Sequence, residues 1–216
     1  MKILNLYAGI GGNRKLWGGE HQITAVELNP QIAKIYQIFF PNDKIVVGDA
    51  HQYLLEHFAG FDFIWSSPPC PSHSKLRKGL SINVGAKPIF PDMKLYEEIL
   101  FLQGYFKGKW CVENVVSWYV PLILPQKISR HYYWANFLIV PKRLGKGKIN
   151  ITGGIHKQTT VEQIAQLERD FGYNLENYNL PQNKWLLYLR NCVEPEIGKQ
   201  ILDYAITPIK LQKELF

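Results

Sequence analysis

The sequence predicts an α/β protein built on a mostly parallel sheet. Over roughly the first two thirds of the 216 residues, short apolar runs alternate with segments of helical period, as strands alternate with crossover helices. Glycine or acidic residues follow the first three runs, where a parallel sheet gathers its ligand contacts. Lys2 to Leu6 reads as the first strand and Ile23 to Glu27 as the second. Pro30 then opens a helix to about Phe40, because proline in a first helical turn forfeits no hydrogen bond. Lys44 to Val47 is a third strand and Phe61 to Trp65 a fourth. Pro91 to Phe106 is helical, with Met93, Leu95, Ile99, Leu100 and Leu102 as its apolar stripe. Trp110 to Val112 is a fifth strand, ending at Glu113 and Asn114, and "HYYWANFLIV", His131 to Val140, is a strand at a sheet edge or in a hairpin. From Pro141 the texture changes to glycine and basic residues, followed by a helix from Val161 to Phe171, a polar stretch, and a last helix from Gly198 to about Ile206.

Composition sets bounds. Hydrophobic residues at 46% and charged residues at 20% are ordinary for a globular chain. No run approaches the roughly 20 apolar residues of a membrane helix, and "MKILNLYAG" lacks a signal peptide's cleavage site. Cys70, Cys111 and Cys192 are far apart and odd in number, with neither zinc spacing nor a disulfide framework; a reducing cytoplasm is expected, with no metal and no membrane partner. The net charge of +7 is unevenly placed. No acidic residue falls between Glu113 and Glu162, a window holding Lys127, Arg130, Lys142, Arg143, Lys146, Lys148 and Lys157. None falls between Asp62 and Asp92, a window with Lys75, Arg77, Lys78 and Lys87. Such windows suit a polyanion, although a solvated basic face would look the same.

Two places carry chemistry. The first strand runs into "NLYAGIGG", where Gly9, Gly11 and Gly12 permit a tight turn and close backbone approach to a ligand. Glu27 in "VELNP" is placed to accept from ribose hydroxyls, and Asp49 in "VVGDA" from an adenine amino group, though Asp49 also suits a helix N-cap. Together they describe a nucleoside-bearing cofactor across the sheet's C-terminal edge. The second place is "SSPPCPSHSK": Cys70 sits among Pro68, Pro69 and Pro71 just past a strand, which is how a nucleophile is held. Cys111, between Trp110 and Val112, reads as structural, and Cys192 in "LRNCVEP" is ambiguous. Glu113 ends the neighbouring strand and would bind a ring nitrogen and an exocyclic amine together.

The ordered set "YAGIGG", "ELNP", "GDA", "PPC" and "ENV" resembles the C5-cytosine-specific DNA methyltransferases. The resemblance implies a doubly wound, seven-stranded-type Rossmann-like class I methyltransferase fold with a small recognition insertion. Residues 1–140 and 190–216 would form the catalytic domain and 141–189 a reduced target-recognition region. It implies S-adenosylmethionine bound by Tyr7, Ala8, Gly9, Ile10, Gly11, Gly12, Glu27, Leu28, Asp49, Ala50 and Pro69. The flipped base would be attacked at C6 by Cys70 and held by Glu113, with Arg130 of "SRHYYW" on the base or a phosphate. Ser72, Ser74, Lys75, Arg77 and Lys78 would lie on a mobile segment closing on double-stranded DNA, with Lys142, Arg143, Lys146 and Lys148 on phosphates.

The chain departs from the family pattern after the cysteine, with Pro71 and His73, and at the late glycine turn, read here as "IGKQ". Lys199 there is either drift at a tolerant position or, standing by the cofactor's reactive end, a cation that suits a variant using carboxy-S-adenosylmethionine to make 5-carboxymethylcytosine. The expected protein is a monomer in the cytoplasm of a bacterial or phage-infected cell, in a restriction or similar mobile setting. The other readings are a tRNA-type RNA cytosine methyltransferase and a non-catalytic DNA-binding protein; retention of Cys70 and Glu113 argues against the last.

Overall fold

The computed structural model describes residues 1–140, 159–174, 178 and 180–207. Seven strands form one sheet in the order β3-β2-β1-β4-β5-β7-β6. They are β1 (Lys2–Leu6), β2 (Gln22–Glu27), β3 (Lys44–Val47), β4 (Phe63–Ser66), β5 (Lys109–Val115), β6 (Gln126–Ile128) and β7 (His131–Ala135). The first five are parallel to one another, whereas β7 runs antiparallel to both β5 and β6.

Alternation along the strands explains the two covered faces. Ile3, Phe63, Trp65 and Cys111 point to one side, against Ile197, Ile201 and Leu202 of α7 (Pro195–Ile206). Leu4, Leu6, Ile64 and Val112 point to the other, against Leu54 of α2 (Ala50–His57) and Leu95, Ile99 and Leu102 of α4 (Lys94–Tyr105). The α4 stripe differs from the sequence reading: Met93 and Leu100 are exposed, and Tyr96 and Glu98 take the inward positions.

Local chemistry sets the helix starts. α1 (Pro30–Phe39) is capped by Asn29, whose side chain accepts from the N–H groups of Gln31 and Ile32, with Pro30 in its first turn. Asp49 caps α2 in the same way, accepting from His51 and Gln52. Past Cys70, within the segment expected to close on DNA, the chain forms α3 (Lys75–Val84), capped by the Ser74 hydroxyl and stopped at Gly85 with φ +67°. α5 (Thr160–Phe171) opens on a reciprocal Thr159–Glu162 capping box. α6 (Gln182–Arg190) shares a cluster with it, Leu167, Phe171, Trp185 and Leu189, which also takes in Ile10 and Ile35. The described part of the expected recognition region thus packs beside the glycine-rich turn, while residues 141–158 lie outside the described residues.

Strand order reverses between β1 and β4, so the loops after them diverge and leave a crevice at the sheet's C-terminal edge. Among the described residues no helix is long and apolar enough to cross a membrane.

Candidate active site

A cavity of about 840 Å³ occupies that crevice. Its walls come from the turn after β1, the ends of β2 and β3, the loop after β4, the far half of β5 and the segment joining α6 to α7.

At one end stands the glycine-rich turn. Tyr7 and Gly9 both have positive φ, +55° and +57°. The Gly9 N–H donates to Glu27 Oε2 at 3.0 Å, and the Asn29 N–H to Oε1 at 2.9 Å. Two backbone donors therefore fix the carboxylate and leave its remaining lone pairs for hydroxyl donors. Asp49 lines the cavity and caps α2 through Oδ1 only, so the N-cap reading holds and Oδ2 is left free of that cap. Leu28, exposed and at the cavity wall, offers an apolar face to a flat ring. Gly12 is required by close approach: a Cβ there would lie 2.6 Å from the Cys192 Cβ and 2.7 Å from the Val193 carbonyl. Gly11 does not line the cavity; its missing side chain makes room for the rings of Tyr36 and Phe40.

Ala8, Ile10, Ala50, Pro68 and Pro69 complete that wall. Below Tyr7 lies a buried network which the sequence did not signal. Glu98 is fully buried and accepts from the Tyr7 hydroxyl at 2.6 Å and from Ser66 Oγ at 2.5 Å, with His51 Nδ1 at 3.0 Å. Its hydrogen bond to His51 raises that imidazole's pKa. The Tyr7 phenol is pushed up by burial and by Glu98, so it remains a donor.

At the other end Cys70 and Glu113 face the same space. The Asn114 amide donates to the Pro68 carbonyl at 3.0 Å and ties the proline loop to β5. Cys70 is partly exposed, and its thiol pKa is raised, by burial first and by the nearby Glu113 carboxylate second. The free protein thus keeps this sulfur mostly protonated. Glu113 is buried inside β5, because antiparallel pairing with Tyr133 extends the strand to Val115, past the sequence-read end. Burial lifts its pKa to about 7, opposed by a Ser67 hydrogen bond and by Arg130. A carboxyl titrating near neutrality can give a proton to a ring nitrogen and take it back. His131 Nε2 lies 3.7 Å from Glu113 Oε1, but burial and Arg130 lower His131 to about 4, so the contact is no ion pair at neutral pH.

Several sequence-read residues lie elsewhere. Arg130 is outside the cavity wall, 3.8 Å from the Glu194 carboxylate, and reaches Glu113 only through its field. Lys199 requires correction. Gly198 sits against the Asn13 backbone and its carbonyl accepts from the Trp17 indole, which turns the next residue outward. The Lys199 ammonium pairs with Asp203 at 2.8 Å on an exposed face, away from the cavity. The cavity takes Arg190, Asn191, Cys192 and Val193 in its place, just ahead of Pro195 where α7 opens. Cys111 and Cys192 are buried, with thiols raised by burial, Cys192 to about 12. Ser72 accepts from the Asp92 N–H and Ser74 caps α3; Lys75 is exposed, and Arg77 and Lys78 stand on α3. Lys142, Arg143, Lys146, Lys148 and Lys157 lie outside the described residues.

Residues 1–95 match the family model of C-5 cytosine-specific DNA methylases. Among solved structures, a methyltransferase of Entamoeba histolytica is similar in fold, at TM-score 0.58 and 11% identity over 95% of this chain and 97% of that one. A DNMT2 variant of Spodoptera frugiperda shares 25% identity over 53% of this chain and 35% of its own, at TM-score 0.38. No curated protein matches. The motif resemblance and the α/β methyltransferase-like fold both hold, and the family-model match over residues 1–95 supports methyltransferase chemistry.

Proposed function

We propose that this protein transfers the methyl group of S-adenosylmethionine to C5 of a cytosine flipped out of DNA, with Cys70 bonding transiently to C6. One observation carries the reading: Cys70 and the near-neutral Glu113 share a single cavity with Gly9, Glu27 and Asp49. The residues present suit the cofactor. Glu27 is pre-oriented for ribose hydroxyls, Asp49 keeps one oxygen for an adenine amine, Leu28 offers a ring face, and the missing Gly12 side chain lets Cys192 and Val193 close the wall against the turn. When bound, S-adenosylmethionine supplies an electrophilic methyl on a sulfonium centre.

The rest belongs to this chain. Cys70 loses its proton to solvent and adds to C6, the C5–C6 π pair shifts toward C5, and Glu113 delivers its proton to N3. After C5 is substituted, departure of the C5 proton re-forms the double bond and expels the Cys70 thiolate, and the N3 proton returns to Glu113. Residues 1–140 and 190–216 act as the catalytic unit and 141–189 as the recognition region in this reading. Tritium release from 5-tritiated cytosine tests it: release from DNA, with 5-methylcytosine as product, is expected. Release from tRNA alone would overturn the choice of DNA, and release from neither would overturn the reaction.

A further inference from the structure

A second cavity, of about 240 Å³, is built on the catalytic loop itself. Ser72, two residues past Cys70, lines it together with Arg77, Lys78, Lys87, Ile89 and Trp118. Trp118 is fastened to that loop: its indole N–H donates to the Ser72 carbonyl and its backbone N–H to the His73 carbonyl, both at 3.1 Å. The Arg77 guanidinium donates to the Lys87 carbonyl at 3.1 Å, which ties α3 to the strand-free segment after it. Among the described residues no carboxylate lines the cavity. α3 buries none of its residues, so nothing in the described chain covers its outer side.

Three cations around an indole, with hydroxyls at the rim, are the chemistry of a planar ring attached to a phosphate. In the free protein the Lys78 ammonium sits 4.4 Å from the centre of the Trp118 ring. That contact is weak at an exposed site, whereas a nucleobase stacked on an aromatic ring binds more strongly, so an incoming base displaces Lys78 and frees its charge for the adjoining phosphate. A base still stacked in a duplex cannot present its face to Trp118.

We propose that this cavity takes an unpaired nucleotide neighbouring the target cytosine, its base on Trp118 and its phosphate on Lys78 and Lys87. Targets beside a looped, mismatched or displaced nucleotide are therefore preferred over uninterrupted duplex. The inference rests on the reading of Cys70 as a nucleophile toward nucleic acid.

The test measures binding by fluorescence anisotropy for wild type, Trp118→Ala, Trp118→Phe and Lys78→Ala. The probes are same-sequence oligonucleotides, fully paired or with an unpaired flank, each made as DNA and as RNA to show which sugar is favoured. Wild type is expected to favour the unpaired flank. Trp118→Ala should lose roughly 5- to 150-fold in affinity for it and abolish the preference. Trp118→Phe keeps a ring without the N–H and should retain most of the affinity. If Trp118→Phe falls as far as Trp118→Ala, the indole serves only to anchor the loop and the proposal is overturned; equal binding by wild type and Trp118→Ala overturns it as well. Should Trp118→Ala fail to fold, 2-aminopurine at the flanking position of the wild-type complex decides, since emission unchanged by Lys78→Ala contradicts the proposal. Trapping on 5-fluorocytosine substrates separates the two readings. An adduct formed without flank preference leaves the Cys70 mechanism standing and removes this cavity's role. A flank preference without any adduct does the reverse.

Discussion

Replacing Glu113 by Gln should raise stability in alkaline solution while it removes activity. An exposed glutamate titrates near 4.3, and burial in β5 lifts Glu113 to about 7. The folded state therefore disfavours the carboxylate. Stability is fully present below the unfolded pKa and is lost as pH rises through the folded one, since the unfolded chain releases its proton first. The gap of about 2.7 pH units corresponds to ~4 kcal/mol at saturation, of which about 2–3 kcal/mol develops between pH 5 and pH 8.5. Gln carries no such penalty. Relative to wild type it should gain over that interval, by about 4–12 °C in Tm for a chain of this size. Activity should fall by roughly 10²–10⁴-fold, because the amide donates to N3 but cannot transfer its proton. Thermal unfolding of both proteins from pH 5 to pH 8.5, with turnover in parallel, provides the measurement. A Tm difference that does not grow with pH would show that this carboxyl is not desolvated, and the argument for its catalytic protonation would fail.

Other outcomes follow from packing and charge. Gly12→Ala places a Cβ at 2.6 Å from the Cys192 Cβ. It should destabilise by about 1–3 kcal/mol and weaken S-adenosylmethionine binding at least tenfold by calorimetry. Glu98→Gln leaves Ser66, Tyr7 or His51 without its acceptor inside the sheet packing and should cost about 2–4 kcal/mol in urea unfolding. Lys199→Ala removes only an exposed pair with Asp203, so stability should change by less than about 0.5 kcal/mol and cofactor KM should not move. A tenfold rise in that KM would return Lys199 to the site.

The sheet was legible because its residues are buried on two faces. β1 to β4 start within two residues of the apolar runs, and the switch-point crevice follows from their order. α6 escaped although it buries Trp185, Tyr188 and Leu189, whereas two other helices lacked an apolar signature of their own. α3 buries nothing, and α2 buries only Ala50 and Leu54, so neither shows a stripe. The run read as a strand to Val140 pairs only to Ala135. There Asn136 accepts from the Trp110 N–H and donates to the Gly108 carbonyl, ending the ladder, while Phe137 and Ile139 continue inward as core. Apolar content marked burial correctly and pairing wrongly. Cys70, Glu113, Glu27 and Asp49, singled out by local chemistry at strand ends, line one cavity. The late turn was not legible, because the glycine of "IGKQ", Gly198, packs α7 against the Asn13 backbone and does not line the cavity. The usable signal was Asn191, Cys192 and Val193 ahead of the proline that opens α7.

Everything in the mechanism depends on carbon bonding to one sulfur atom. Incubation with 5-fluorocytosine DNA and S-adenosylmethionine, followed by intact-mass and peptide analysis, measures that bond directly, because fluorine at C5 blocks the elimination that frees the enzyme. The account predicts a stable protein–DNA adduct mapping to Cys70 and absent from Cys70→Ala. Methylated product from Cys70→Ala, or an adduct mapped to Cys111 or Cys192, would contradict it.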